Sequence, residues 1–105
     1  MKLLTNEIAE KFPALYANEK LPAAEVKVIA KFFNPTGAGT WYATEYDPKE
    51  KLFFGYVDLG MGPGFSELGY FSLAELEGVE VMFGLGIERD IHFGFDTTLA
   101  EVMAA

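Results

Sequence analysis

Three clusters of turn-forming residues cut the middle of this chain into short lengths. They are Asn34-Pro35-Thr36-Gly37-Ala38-Gly39, Asp47-Pro48-Lys49-Glu50 and Gly60-Met61-Gly62-Pro63-Gly64. The segments between them are too short for helical crossovers, which take about a dozen residues or more. They also have strand character. From Glu25 to Phe33, Val26, Val28, Ala30 and Phe32 alternate with Lys27, Ile29 and Lys31, the pattern of a half-buried strand. Thr40 to Tyr46 and Leu52 to Leu59 are rich in aromatic and β-branched residues, and Leu68 to Phe71 reads as a short fourth strand. Consecutive strands joined by tight turns predict an antiparallel meander.

Helix signals flank that meander. Thr5 is a candidate N-cap with Glu7 in the first turn, followed by Ile8, Phe12, Leu15 and Tyr16 at helical spacing. Pro13 falls within this stretch and kinks or divides it. Ser72-Leu73-Ala74-Glu75 and Thr98-Leu99-Ala100-Glu101 both match the capping box. Glu88 to Phe95 reads as a last strand, and residues 79–86 fit neither pattern. The expectation is an α+β fold over a single domain, residues 1–105. It comprises a four- or five-stranded antiparallel sheet, an N-terminal helix, and short helices after strand four and at the C-terminus.

Charge is distributed unevenly. Residues 1–51 carry seven acids and seven lysines, whereas residues 52–105 carry nine acids and one base, Arg89, so the net charge of −8 belongs to the second half. Such acidity argues against gripping nucleic acid phosphates, an affinity supplied mostly by Lys and Arg. It favours a basic protein surface as partner. The chain has no cysteine, which excludes disulfides, thiolate metal sites and cysteine nucleophiles. The N-terminal residues lack the apolar run of a signal peptide, and no stretch approaches the roughly 20 apolar residues of a membrane span. A cytoplasmic protein without membrane contact or cofactor is expected.

Few residues carry recognisable chemistry. Glu88, Asp90 and His92 share one face if their segment is a strand, and two carboxylates with an imidazole can hold a divalent cation or act as acid and base. The same spacing describes an ordinary solvated strand face. Arg89 falls in register with Ile91 and Phe93 on the expected core side, where it needs a carboxylate or carbonyl partner, so it reads as a structural residue. Trp41, Tyr42, Tyr46, Phe53, Phe54 and Tyr56 form an aromatic block that packs a core and leaves an aromatic stripe. The Gly60–Gly64 run matches no phosphate-binding fingerprint.

Four blocks of sequence resemble a known family. They are Thr40-Trp41-Tyr42-Ala43-Thr44-Glu45-Tyr46-Asp47, Leu52-Phe53-Phe54-Gly55, Glu67-Leu68-Gly69-Tyr70-Phe71-Ser72-Leu73-Ala74-Glu75-Leu76 and Gly86-Ile87-Glu88-Arg89-Asp90-Ile91-His92-Phe93. Together with the Met1-Lys2-Leu3-Leu4 start, they resemble the family of unknown function numbered 2958. The resemblance implies a small cytoplasmic protein carried largely by phages, plasmids and other bacterial mobile elements, with no established activity. Small acidic proteins in that setting often inhibit host defence such as restriction or CRISPR by occupying nucleic-acid-binding grooves. The leading expectation is therefore a non-enzymatic acidic binder using Asp58, Glu67, Glu75, Glu77, Glu80, Glu88 and Asp90, with Ser72 and Arg89 structural. The alternatives are a small metal-dependent enzyme or metal-binding domain built on Glu88, Asp90 and His92, and an accessory structural module whose acidity keeps it soluble.

Overall fold

Each hairpin turn opens on a short polar side chain that folds back onto its own backbone. Asn34 Oδ1 accepts from Thr36 N at 3.0 Å, Asp47 Oδ1 from Lys49 N at 3.0 Å and Asp58 Oδ1 from Gly60 N at 2.8 Å. These are Asx turns, in which the side chain substitutes for a backbone acceptor two residues earlier than a helix would. They reverse the chain between β1 (Ala30–Phe33), β2 (Thr40–Asp47), β3 (Leu52–Asp58) and β4 (Ser66–Ser72). A computed structural model describes residues 2–62, 64–79 and 85–105. With β5 (Glu88–Arg89) the strands form one five-stranded sheet in the order β4-β3-β2-β1-β5, and every pairing is antiparallel.

Short helices sit where the capping signals place them. Ser72 Oγ accepts from Glu75 N at 2.9 Å to open α2 (Leu73–Gly78), and Thr98 and Glu101 form a reciprocal capping box on α3 (Leu99–Ala104). At the N-terminus the helix is shorter than the spacing predicts. Thr5 caps α1, but α1 runs only from Asn6 to Ala9, and its carboxyl end turns before Pro13. Ile8 and Phe12 pack against the core, whereas Leu15 lies outside it.

Two strands are also shorter than their alternation suggests. Val26 and Val28 are buried, yet they pair outside the sheet: Leu99 N donates to Val26 O and Val28 N to Thr97 O. A single turn of 3₁₀ helix (Ala23–Glu25) and α3 thus bracket the start of β1. The last strand ends at Arg89 because Asp90 Oδ1 captures His92 N at 3.0 Å, a fourth Asx turn. Ile91 consequently stands 64% exposed rather than facing the core.

The core fills one face of the sheet. Phe32, Ala43, Tyr46, Phe53 and Phe71 point into it, and Leu3, Leu4, Leu73, Leu76 and Ile87 close it from outside. Arg89 ties the N-terminal segment down, its Nη1 donating to the carbonyls of Lys2 and Leu3, each at 2.8 Å. These contacts join residues far apart in sequence and tie the N-terminal segment to β5.

Candidate functional site

A bulge in β2 creates the most distinctive feature of the opposite face. Ala43 pairs with Gly55, but Glu45 pairs with Phe54, so Thr44 is an extra residue in the ladder. Its hydroxyl donates to Phe54 O at 3.1 Å. Gly55 is obligatory here, because a side chain would run into the Tyr42 carbonyl. The slip turns Tyr46 into the core and Glu45 away from it.

Glu45 is nevertheless buried, at 4% exposure. Its Oε1 accepts from Tyr16 N at 2.8 Å and its Oε2 from Asn18 N at 2.9 Å. A buried carboxylate is tolerable only with such partners, and charge-assisted bonds of this kind are the stronger class. They hold Tyr16 at a φ of 71°, a left-handed conformation uncommon for a side chain of this size. The Tyr16 loop, Glu45, Leu21, Phe54, Tyr70 and Met103 border a largely apolar cavity of about 380 Å³ on the outer face of the sheet. Hydrogen bonding with the Tyr16 side chain raises the Tyr70 phenol above its ordinary pKa, followed by desolvation and the nearby Glu45 and Glu19 carboxylates. Further along the face, desolvation also raises Tyr42, with Asp58 and Tyr56 adding to it.

The expected acidic residues separate into two groups. Glu67, Glu75 and Glu77 are exposed on β4 and α2, and none makes an ion pair with a described residue. Glu88 and Asp90 lie at the β5 edge, four strands away, which is about 19 Å across the sheet. Asp90 pairs with Lys31 at 3.8 Å, and Asp58 is engaged by Gly60 N and by Ser66 Oγ at 3.0 Å. Glu80 lies outside the described residues. The strand expected to align Glu88, Asp90 and His92 ends at Arg89, yet all three still border one open cleft together with Lys31 and Arg89. Among the described residues no group of acidic and histidine side chains is arranged to hold a metal ion.

The chain belongs to the DUF2958 family. The family model, described as a protein of unknown function, matches residues 3–105. No curated protein and no solved structure gave a significant match. In this DUF2958 member, no helix among the described residues is long and apolar enough to cross a membrane.

The cavity and its carboxylate were missed in the sequence, although one signal for them exists. Trp41 and Ala43 share a parity that Tyr46 breaks by one residue, which marks a bulge between them. The partner of the buried Glu45 lies 27 to 29 residues away and has no local signature.

Proposed function

We propose that this chain is a non-enzymatic binding protein that docks on a basic protein surface of the kind that grips nucleic acid. One observation carries this reading. Glu67 on the core-side face of β4 and Glu75 and Glu77 in the helix that follows it stand exposed, and on the other face of the same edge strand two apolar side chains are exposed, Leu68 at 43% and Tyr70 at 50%. Unpaired charges steer a basic partner into contact, and a neighbouring aromatic anchor slows its departure. In the mobile-element setting implied by the family resemblance, such a binder would inhibit a host-defence protein by covering its nucleic-acid groove.

The test captures the partner on the tagged full chain and then measures affinity against salt. Exposed charges are screened beyond about 10 Å at 0.1 M salt, so affinity should fall steeply between about 0.05 and 0.5 M. The triple reversal Glu67→Lys, Glu75→Lys, Glu77→Lys should weaken binding by at least about tenfold without lowering the melting temperature. Reversals at Glu7, Glu10 and Glu50, all exposed in the charge-balanced half, should leave affinity unchanged. Equal retention of affinity by both sets overturns the proposal, as does a partner that is acidic at its contact surface.

A further inference from the structure

The same edge of the molecule has a second property, and it concerns the backbone. Leu73 N donates to Lys51 O at 3.0 Å and Leu59 N to Phe65 O at 3.3 Å, which brackets the β3–β4 ladder. With the register between them unbroken from Leu52–Ser72 to Asp58–Ser66, the odd-numbered residues of β4 bond to β3. The N–H and C=O groups of Ser66, Leu68 and Tyr70 therefore project from the other side, where no described residue pairs with them. Edge strands are usually blunted by lysine, proline, a bulge or extreme shortness. β4 has seven residues, no lysine, proline or bulge, and one charge, Glu67, which guards the edge against another acidic strand but not against a basic one. It also presents Leu68 and Tyr70 to solvent next to the cavity they help line.

We propose that the free edge of β4 takes up an extended basic segment of the partner as an added antiparallel strand, one of whose apolar side chains seats against Leu68 and Tyr70. The inference rests on the reading above and deepens it. Charge selects the occupant. Glu67 is exposed within β4, Asp58 flanks its Ser66 end, and the fields of Glu45 and Glu19 reach Tyr70. A second copy of this chain would bring another −8 to the same edge. An extended segment with alternating basic and apolar residues satisfies both sides of the site: its backbone meets the open N–H and C=O groups, its apolar face meets Leu68 and Tyr70, and its cations meet the carboxylates.

Synthetic peptides on the full chain test this, read by calorimetry and by backbone amide NMR. One peptide of about ten residues alternates lysine and valine; a second has the same charge but proline in place of alternate valines, which removes backbone donors. The first should bind and protect the Leu68 and Tyr70 amides from exchange. The second should bind at least about tenfold more weakly, the equivalent of one or two lost hydrogen bonds. Leu68→Pro removes an outward N–H without touching the β3 ladder, and should cause the same loss in the first peptide's affinity. Should that variant not fold, Leu68→Lys, which replaces the apolar anchor with a repelling charge, should produce the loss instead.

Equal binding of both peptides, abolished by the Glu67, Glu75, Glu77 reversal, overturns strand addition while leaving acidic docking intact. Failure of both peptides while the captured partner still binds also overturns it. So does self-association of the chain that Leu68→Pro disperses, which would assign the edge to a second copy.

Discussion

Phe53 and Phe54 are neighbours in sequence, yet they meet opposite surroundings. Phe53 is fully buried, with ring centroids of Phe12, Phe32, Tyr46 and Phe71 between 4.6 and 5.5 Å away. Phe54 meets Tyr70 edge-on at 5.0 Å on a face where Tyr70 stays half exposed. Strand alternation makes both faces aromatic, so aromaticity does not distinguish them. The difference comes from what docks on each. Leu3, Leu4, Leu73, Leu76 and Ile87 seal the first face. On the second, residues 23–28, α3 and the Tyr16 loop cover the end near Thr44 and Glu45, and Phe93 packs on Tyr42, while Leu68 and Tyr70 stay exposed. The first face is closed, whereas the second stays partly open beside an edge that no described residue pairs.

The sharpest way to break this comparison is a pair of truncations. Phe53→Ala removes a fully packed ring and should cost about 4 kcal/mol, whereas Tyr56→Ala on the open face should cost less than about 1.5 kcal/mol. Denaturant unfolding measures both, and equal losses would show that the outer face is as tightly packed as the core. Glu45 comes next, because it is a buried carboxylate on the open side. Glu45→Ala leaves the Tyr16 and Asn18 amides without acceptors and should cost about 2 kcal/mol. Faster hydrogen exchange at those two amides would locate the effect in the loop, and unchanged exchange would show that Glu45 does not hold it.

Ser72→Ala, at the junction between the free strand and the helix that closes the core, should cost about 1 kcal/mol in the same unfolding assay. The smallest effect is alkaline. Tyr42 and Tyr46 both have pKa values raised above the ordinary 10.0, chiefly by desolvation. A raised pKa means that folding favours the neutral phenol. Its contribution is complete below pH 10.0 and is lost as pH rises through the higher folded value. Stability should therefore be level across neutral pH and decline above about pH 10, and Tyr42→Phe should make that decline shallower. A decline of unchanged steepness would remove Tyr42 from the linkage.

Local chemistry made most of the fold legible. Asn34, Asp47 and Asp58 close turns through atoms two residues away, and Ser72 and Thr98 cap helices through atoms three residues away, so their neighbours in sequence suffice to read them. The antiparallel sheet, the α+β class and the family follow from signals of that range. The errors occur where distant segments compete. Val26 and Val28 alternate as a strand should, but the chain before α3 claims their hydrogen bonds. The end of β5 is a different case: Asp90 Oδ1 takes the His92 amide two residues on, a local turn signal that the strand-like spacing masks.

The charge imbalance between the halves and the absence of cysteine were determined by the sequence alone. Tertiary structure decided which acids share a surface, because the sheet order sends Glu67 and Glu88 to opposite edges. It also decided that β4 ends the sheet and that Glu45 is buried against a loop some 27 residues away. Side-chain alternation specifies which way a residue points relative to its neighbours. What lies in that direction depends on segments whose arrival no local pattern encodes.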